Sequence, residues 1–280
     1  MGYLRHIRAC NNFNKIGKTA WIMDNKRVGY VRDDMLSYLL DSGIFYKNGD
    51  NLELISNLDD FESRTEALGK FAKKAFEDKI TNVFMNEPYG VRSSPSSEPL
   101  CLIDRSVATL LGIISFGQHM NGYVKTDSGL KMWIAKRANT KGYYAGKLDH
   151  LVAGGLPYGI SEDENLEKEC YEEAGIEKEL ASQAKSVGMI RYRHEYRLGG
   201  SEDIIYCYDL ELSEDFVPRC TDGEVEEFYL MSVEEVMDLV KNSDEFKLNC
   251  NLVITDFFVR HGYLTPKDRD YIEIISSLRI

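Results

Sequence analysis

Three glutamates stand close together at 169, 172 and 173, downstream of a glycine pair; residues 154–176 read GGLPYGISEDENLEKECYEEAGI. If the stretch from Asn165 to Ala174 is helical, spacings of three and four put Glu169, Glu172 and Glu173 along one edge. Leu166, Cys170 and Ala174 fall out of phase with them and form the face a core would cover. Gly175 is a natural place for such a helix to stop. Like charges on one exposed edge repel by about 0.2–0.5 kcal/mol per adjacent pair. Two readings of that cost are open. A charge run is often just a solvated face, with Lys168 and Lys178 at hand to relieve it. Alternatively a hard cation relieves it, because Mg²⁺ sits between one or two carboxylates and the phosphates of a substrate.

Other residues could serve a phosphate substrate. Lys136 and Arg137 end the apolar segment around Trp133 and could reach a diphosphate, or simply be solvated. Gly154 and Gly155 allow close backbone approach and a tight turn. Tyr158 could stack on a substrate ring or pack within its loop. His119 and Asn121 could touch substrate, although His119 reads more naturally as structural. His194 has no serine or cysteine arrangement that would make a triad.

These residues need a scaffold. Trp21 to Val31 reads as a strand, a turn at Asp24-Asn25 and a returning strand. Asp33 to Asp41 predicts a short helix, and the periodicity of Phe61, Leu68, Phe71, Ala72, Ala75 and Phe76 a longer one over Leu58 to Asp78. A Pro/Ser/Gly-rich stretch covers 87–99 and reads as loop. Leu100 to Ile103 is apolar, and Asp104 is placed to cap a short helix ending at Leu111. Beyond it come strands at 122–124, 132–135, 187–192, 204–212 and 226–231, the glutamate helix among them. Helices over Val233–Val240 and Phe246–His261 follow. The pattern predicts an α+β fold or an α/β/α sandwich, with a boundary near residue 116.

The composition narrows the function class. A formal net charge of −12 does not favour a nucleic-acid backbone, so no nucleic-acid partner is expected. No run is long and apolar enough to suggest a membrane partner. The N-terminus carries no apolar signal core, and Gly2 lacks the serine or threonine that would favour myristoylation. The six cysteines form no C-x-x-C pair, which argues against a zinc or redox motif of that type. Cys170, Cys207 and Cys250 sit in apolar contexts and read as small core residues. A cytoplasmic protein with free thiols is the expectation. Homodimer formation is left open.

Residues 154–176 resemble the Nudix box. Gly154 matches its leading glycine, Glu169 the glutamate of its Arg-Glu-apolar triplet, Glu172 and Glu173 its Glu-Glu pair, and Gly175 and Ile176 its close. Two positions depart: Ile160 replaces the first glutamate and Lys168 the arginine. The resemblance extends to 119–124, 133–137, 146–155, 222–228, 246–250 and 257–266, and is similar to the Nudix branch associated with thiamine pyrophosphokinase. It implies an α+β fold: a smaller α+β N-terminal domain over 1–116 and a Nudix α/β/α sandwich over 117–280. It implies a hydrolase for small-molecule diphosphates, with Mg²⁺ or Mn²⁺ held by Glu169, Glu172 and Glu173. In that reading Lys168 orients a glutamate as a point charge, without arginine's fork. Glu172 is catalytic, Glu224 is the first choice of general base on a later loop, and Glu226 the second; Glu224 could equally be a turn carboxylate. The branch implies thiamine-type diphosphates, above all oxo- and oxythiamine forms, as substrates. The alternatives are a nucleoside or sugar-nucleotide diphosphatase, a non-catalytic ligand-binding regulator, and prenyl diphosphate isomerase chemistry.

Overall fold

A computed structural model describes residues 2–140 and 142–279; Met1, Lys141 and Ile280 lie outside them. The first half runs α1 (Leu4–Cys10), β1 (Lys18–Met23), β2 (Lys26–Arg32), α2 (Leu36–Asp41), β3 (Phe45–Asn48), β4 (Asn51–Leu54), α3 (Phe61–Glu77), β5 (Pro88–Val91), β6 (Cys101–Asp104) and α4 (Ala108–Leu111). The second runs β7 (Ile114–Thr126), β8 (Gly129–Arg137), β9 (Leu148–Asp149), β10 (Val152–Gly155), α5 (Glu162–Ala174), α6 (Lys178–Ala181), β11 (Lys185–Glu195), β12 (Gly200–Leu212), β13 (Val225–Ser232), α7 (Val233–Asn242), α8 (Cys250–Arg260) and α9 (Tyr271–Ser277).

β1 to β4 form a four-stranded sheet in the order β2-β1-β4-β3. Asp24 and Asn25 make its first turn, both at positive φ, as a two-residue hairpin turn demands. α3 is capped by Asp60, whose side chain accepts the Ser63 N–H. It buries Leu68, Phe71, Ala72 and Ala75 in one core with Trp21, Leu39 and Phe45. The segment expected as loop around 87–99 instead contains β5, which pairs antiparallel with β6. Pro88 is tolerated there as the first residue of a strand.

The larger sheet has the order β11-β12-β7-β8-β13, with β10 added to β7 and β9 to β8. β7 and β12 run parallel, in register from Ile114↔Glu202 to Val124↔Leu212. One face packs on α5 through Met120, Val152, Leu166, Cys170 and Tyr208. The other packs on α7 and α8 through Tyr123, Ile134, Val236, Leu252, Phe257 and Phe258. Full burial of each such large side chain stabilises by about 1.5–3 kcal/mol. The result is the mixed sandwich the pattern predicts. α1, from the start of the chain, also packs in this second core through Leu4, Ile7 and Cys10. β7 runs through residue 116, so the expected boundary falls inside a strand. No described helix is long and apolar enough to cross a membrane.

Candidate active site

The glutamate helix begins earlier than its apolar periodicity indicates, at Glu162. Ser161 and Glu164 form a reciprocal capping box that satisfies donors of its first turn. Gly175 ends it in the left-handed conformation, φ 65°. Leu166, Cys170 and Ala174 are buried against the sheet, as their phase requires. Asn165 anchors the helix to the preceding strand: its Nδ2 donates to Gly155 O at 2.9 Å and to Gln118 Oε1 at 2.7 Å. β10 then lies flat against the carboxylate edge. A Cβ on Gly154 would stand 2.4 Å from Glu169 Cδ, so only glycine lets strand and carboxylate approach this closely.

The lysine that replaces the arginine holds two of the three carboxylates. Lys168 Nζ lies 3.2 Å from Glu169 Oε1 and 2.9 Å from Glu172 Oε2. Burial works against its charge, but Glu172 and Glu169 hold its pKa above the usual lysine range. Glu169 is the less open partner, its side chain 15% exposed against 38% for Glu172. Burial raises its pKa; Lys168 opposes that rise, and the charges of Glu172 and Glu224 add to it. Glu173 points inward, and its Oε2 accepts the Ala153 N–H at 2.7 Å. Burial first, then neighbouring Asp149, push its carboxyl well above the usual range. Lys178 pairs with Glu167 instead, at 2.8 Å. The edge thus offers hard oxygen donors, two of them in carboxyl groups whose ionisation burial opposes. That donor set fits a divalent cation.

Other expected residues are placed differently. Arg137 does not extend toward a diphosphate. Nη1 is bound to Asp149 Oδ2 at 2.8 Å, Nη2 donates to Tyr143 O at 3.3 Å, and the side chain is 12% exposed. Lys136 faces Glu226 at 3.6 Å. Glu226 also accepts from Asn139 Nδ2 at 3.0 Å. Tyr158 has an exposed ring, and its N–H donates to Pro88 O at 2.7 Å. Glu224 sits in the turn, its N–H bound by Asp222 Oδ1 at 2.8 Å, yet its charge reaches Glu169. Gly155 is a strand residue rather than a turn residue. His119 is buried in β7, and His194 Nδ1 donates to Ala9 O, 3.0 Å away.

Residues with no sequence signal complete the surroundings. A Cβ on Gly155 would lie 2.3 Å from Tyr89 Oη and 2.7 Å from Arg105 Nη1. The β5–β6 hairpin of the first half therefore abuts the glycine pair. Arg105 pairs with Glu87 at 2.9 Å and its guanidinium sits 5.6 Å from the Tyr89 ring centre. Behind β10, Asp149 gathers Arg137, Lys247 at 3.2 Å and Cys250 Sγ at 2.7 Å. Burial would raise the Asp149 pKa, but Lys247, the adjacent His150 and Arg137 hold it well below the usual range. A separate cavity of about 150 Å³ is lined by Phe13, Tyr30, Arg27, Arg92, Arg191 and Arg193, and by none of the carboxylates of the helix edge.

A family profile described as "NUDIX domain" matches residues 122–250, and one described as "Domain of unknown function (DUF4743)" matches residues 2–115. The chain is 40% identical over 283 residues to Nudix hydrolase 24, chloroplastic, of Arabidopsis thaliana, covering 99% of this chain and 78% of that one. It is 39% identical over 290 residues to Nudix hydrolase 20, chloroplastic, of the same plant, again covering 99% and 78%. An uncharacterized protein of Saccharomyces cerevisiae is 37% identical over 246 residues, covering 81% of this chain and 70% of its own.

Proposed function

The chain belongs to the Nudix hydrolase family, and on that premise we propose that it hydrolyses thiamine-type diphosphates, preferring damaged forms such as oxo- and oxythiamine diphosphate, to monophosphate and phosphate. That it is a hydrolase acting on diphosphates follows from the family itself, whose members generally use divalent metals. The observation that carries the reading is Lys168 lying between Glu169 and Glu172, beside a glycine that could carry no side chain. Glu169 and Glu172, with Glu173 behind them, would hold Mg²⁺ or Mn²⁺. When bound, such an ion supplies neutralisation of the diphosphate oxygens. Lys168 fixes the two outer carboxylates relative to each other and offers positive charge next to the phosphates. Glu224 would take a proton from an attacking water, a role supported by its charge being felt at Glu169. Gly154 lets Glu169, and Gly155 lets Tyr89 and Arg105, close directly on the strand beside which the diphosphate would lie.

The thiamine-type substrate is supported by the resemblance of residues 146–176 and of the first-half module to the Nudix branch associated with thiamine pyrophosphokinase. The test is phosphate release from a panel in Mg²⁺: oxythiamine diphosphate, thiamine diphosphate, nucleoside diphosphates and ADP-ribose. Oxythiamine diphosphate is expected to turn over fastest. Faster turnover of a nucleotide would replace the substrate assignment, and binding without release from any compound would make the protein a ligand sensor.

A further inference from the structure

The least satisfied polar groups of the interior lie behind the glycine pair. Both ring nitrogens of His150 and Nδ1 of His119 are buried without a hydrogen-bond partner. A neutral imidazole has one donor and one acceptor, so His150 leaves both unmet. Buried groups of this kind are ordinarily paired, and an unpaired set asks for an explanation such as an ion. The two rings stand with centroids 4.8 Å apart and planes tilted by 57°. Cys250, fully buried at the start of α8, completes a trio whose ligand atoms all lie within 4.8 Å of one another. Asp149 Oδ1 adjoins that trio, 2.7 Å from Cys250 Sγ and 3.7 Å from His150 Nδ1.

We propose that His119, His150, Cys250 and Asp149 form a structural site for a zinc-class cation, separate from the carboxylate edge of α5. Two imidazoles, a thiolate and a carboxylate are donors zinc takes, in tetrahedral array. With bonds of about 2.0–2.3 Å, tetrahedral ligands stand about 3.3–3.7 Å apart, so the His119–His150–Cys250 trio needs to draw in by about 1 Å while Cys250 Sγ and Asp149 Oδ1 move apart by somewhat less. The Cys250 proton leaves to solvent on binding, so the thiolate and Asp149 bring two negative charges to the ion, Asp149 sharing its charge with Arg137 and Lys247. Arg137 and Lys247 approach Asp149 through Oδ2, while Oδ1 accepts the His150 backbone N–H at 2.9 Å and lies on the side of the trio. Glu173 is a further carboxylate close enough to Asp149 for each charge to be felt.

The site would tie three segments that nothing covalent joins: β7 through His119, the β9–β10 link through His150, and α8 through Cys250. His119 is the register partner of Ala153, whose N–H is held by Glu173. The ion would therefore brace the strand that carries Gly154.

The experiment uses full-length protein without a histidine tag, dialysed against chelator and returned to Mg²⁺ buffer. Elemental analysis is expected to find about one zinc per chain, falling below about one per ten chains in Cys250→Ser and His150→Gln. Zinc-free protein given Co²⁺ should develop a thiolate-to-cobalt charge-transfer band, which needs no variant to fold. Metal-free protein that takes up no zinc, zinc retained equally by both variants, or cobalt bound without the thiolate band would each overturn the site.

Discussion

Glu173 accepts the backbone N–H of Ala153 at 2.7 Å, which fastens α5 to the strand immediately before Gly154. The distance between helix edge and strand is therefore set by a buried carboxylate, while Glu169 and Glu172 pair with Lys168. Three neighbouring glutamates thus differ in placement, one bound to the strand and two held by a lysine.

Glu172→Gln keeps the shape of the side chain and removes its charge. Turnover is expected to fall on the order of 100-fold or more. The circular dichroism spectrum and thermal midpoint should stay close to those of the parent, because Glu172 is partly exposed. Full activity in a folded variant would remove Glu172 from the metal set.

Gly154→Ala tests the close approach. The new methyl would meet Glu169 Cδ at 2.4 Å, so carboxylate or strand must move. Strain of this kind costs about 1–3 kcal/mol, and a displacement near 1 Å can lower turnover by about 100-fold. Urea denaturation and steady-state kinetics on one preparation would show both losses. A variant with unaltered kinetics would show that Glu169 can swing aside freely.

Arg105→Ala asks whether the first module supports the loop. The change opens space beside Gly155 and leaves Glu87 without its ion pair. About a 10-fold loss of turnover is expected, with partial recovery in Arg105→Lys, which restores the charge but not the planar contact with Tyr89. Parent kinetics in the alanine variant would confine the hairpin to a packing role.

The raised carboxyl groups of Glu169 and Glu173 predict a pH dependence. Folding favours their protonated forms, so without metal their contribution to stability declines as pH rises above the ordinary glutamate range. A divalent ion needs them ionised and competes with those protons. The rise in thermal midpoint caused by Mg²⁺ should therefore grow between about pH 5 and about pH 8. A Mg²⁺ effect that is flat across this interval would place the ion on other ligands.

Much of this site was legible in local pattern. The phase of Leu166, Cys170 and Ala174 names the buried face of α5 correctly and Gly175 marks its end, but Glu173, expected on the edge with Glu169 and Glu172, is buried where it binds the Ala153 N–H. The Asp24-Asn25 turn is equally local. β7 was harder to see because its apolar alternation is broken by Gln118, His119 and Asn121. Two of these are buried through partners distant in sequence: Gln118 bonds Asn165, and Asn121 donates to Asp209 at 3.0 Å. Arg137 shows the same limit. A basic residue at a strand end looks solvated until Asp149 is folded beside it. Tyr89, Arg105 and Cys250 reach the neighbourhood of β10 only through tertiary packing, so no spacing in the chain announces them.

The parallel pairing of β7 with β12 has a bearing on how the molecule forms. Partners such as Asn121 and Asp209 are 88 residues apart, and closing so long a loop costs entropy before its contacts give anything back. High separation of this kind slows folding. On the ribosome the β1–β4 sheet and α3 can assemble early, whereas β7 must wait with an open edge until β12 has emerged. A chaperone that shields an exposed strand would act in that interval, on the stretch from Ile114 to Thr126.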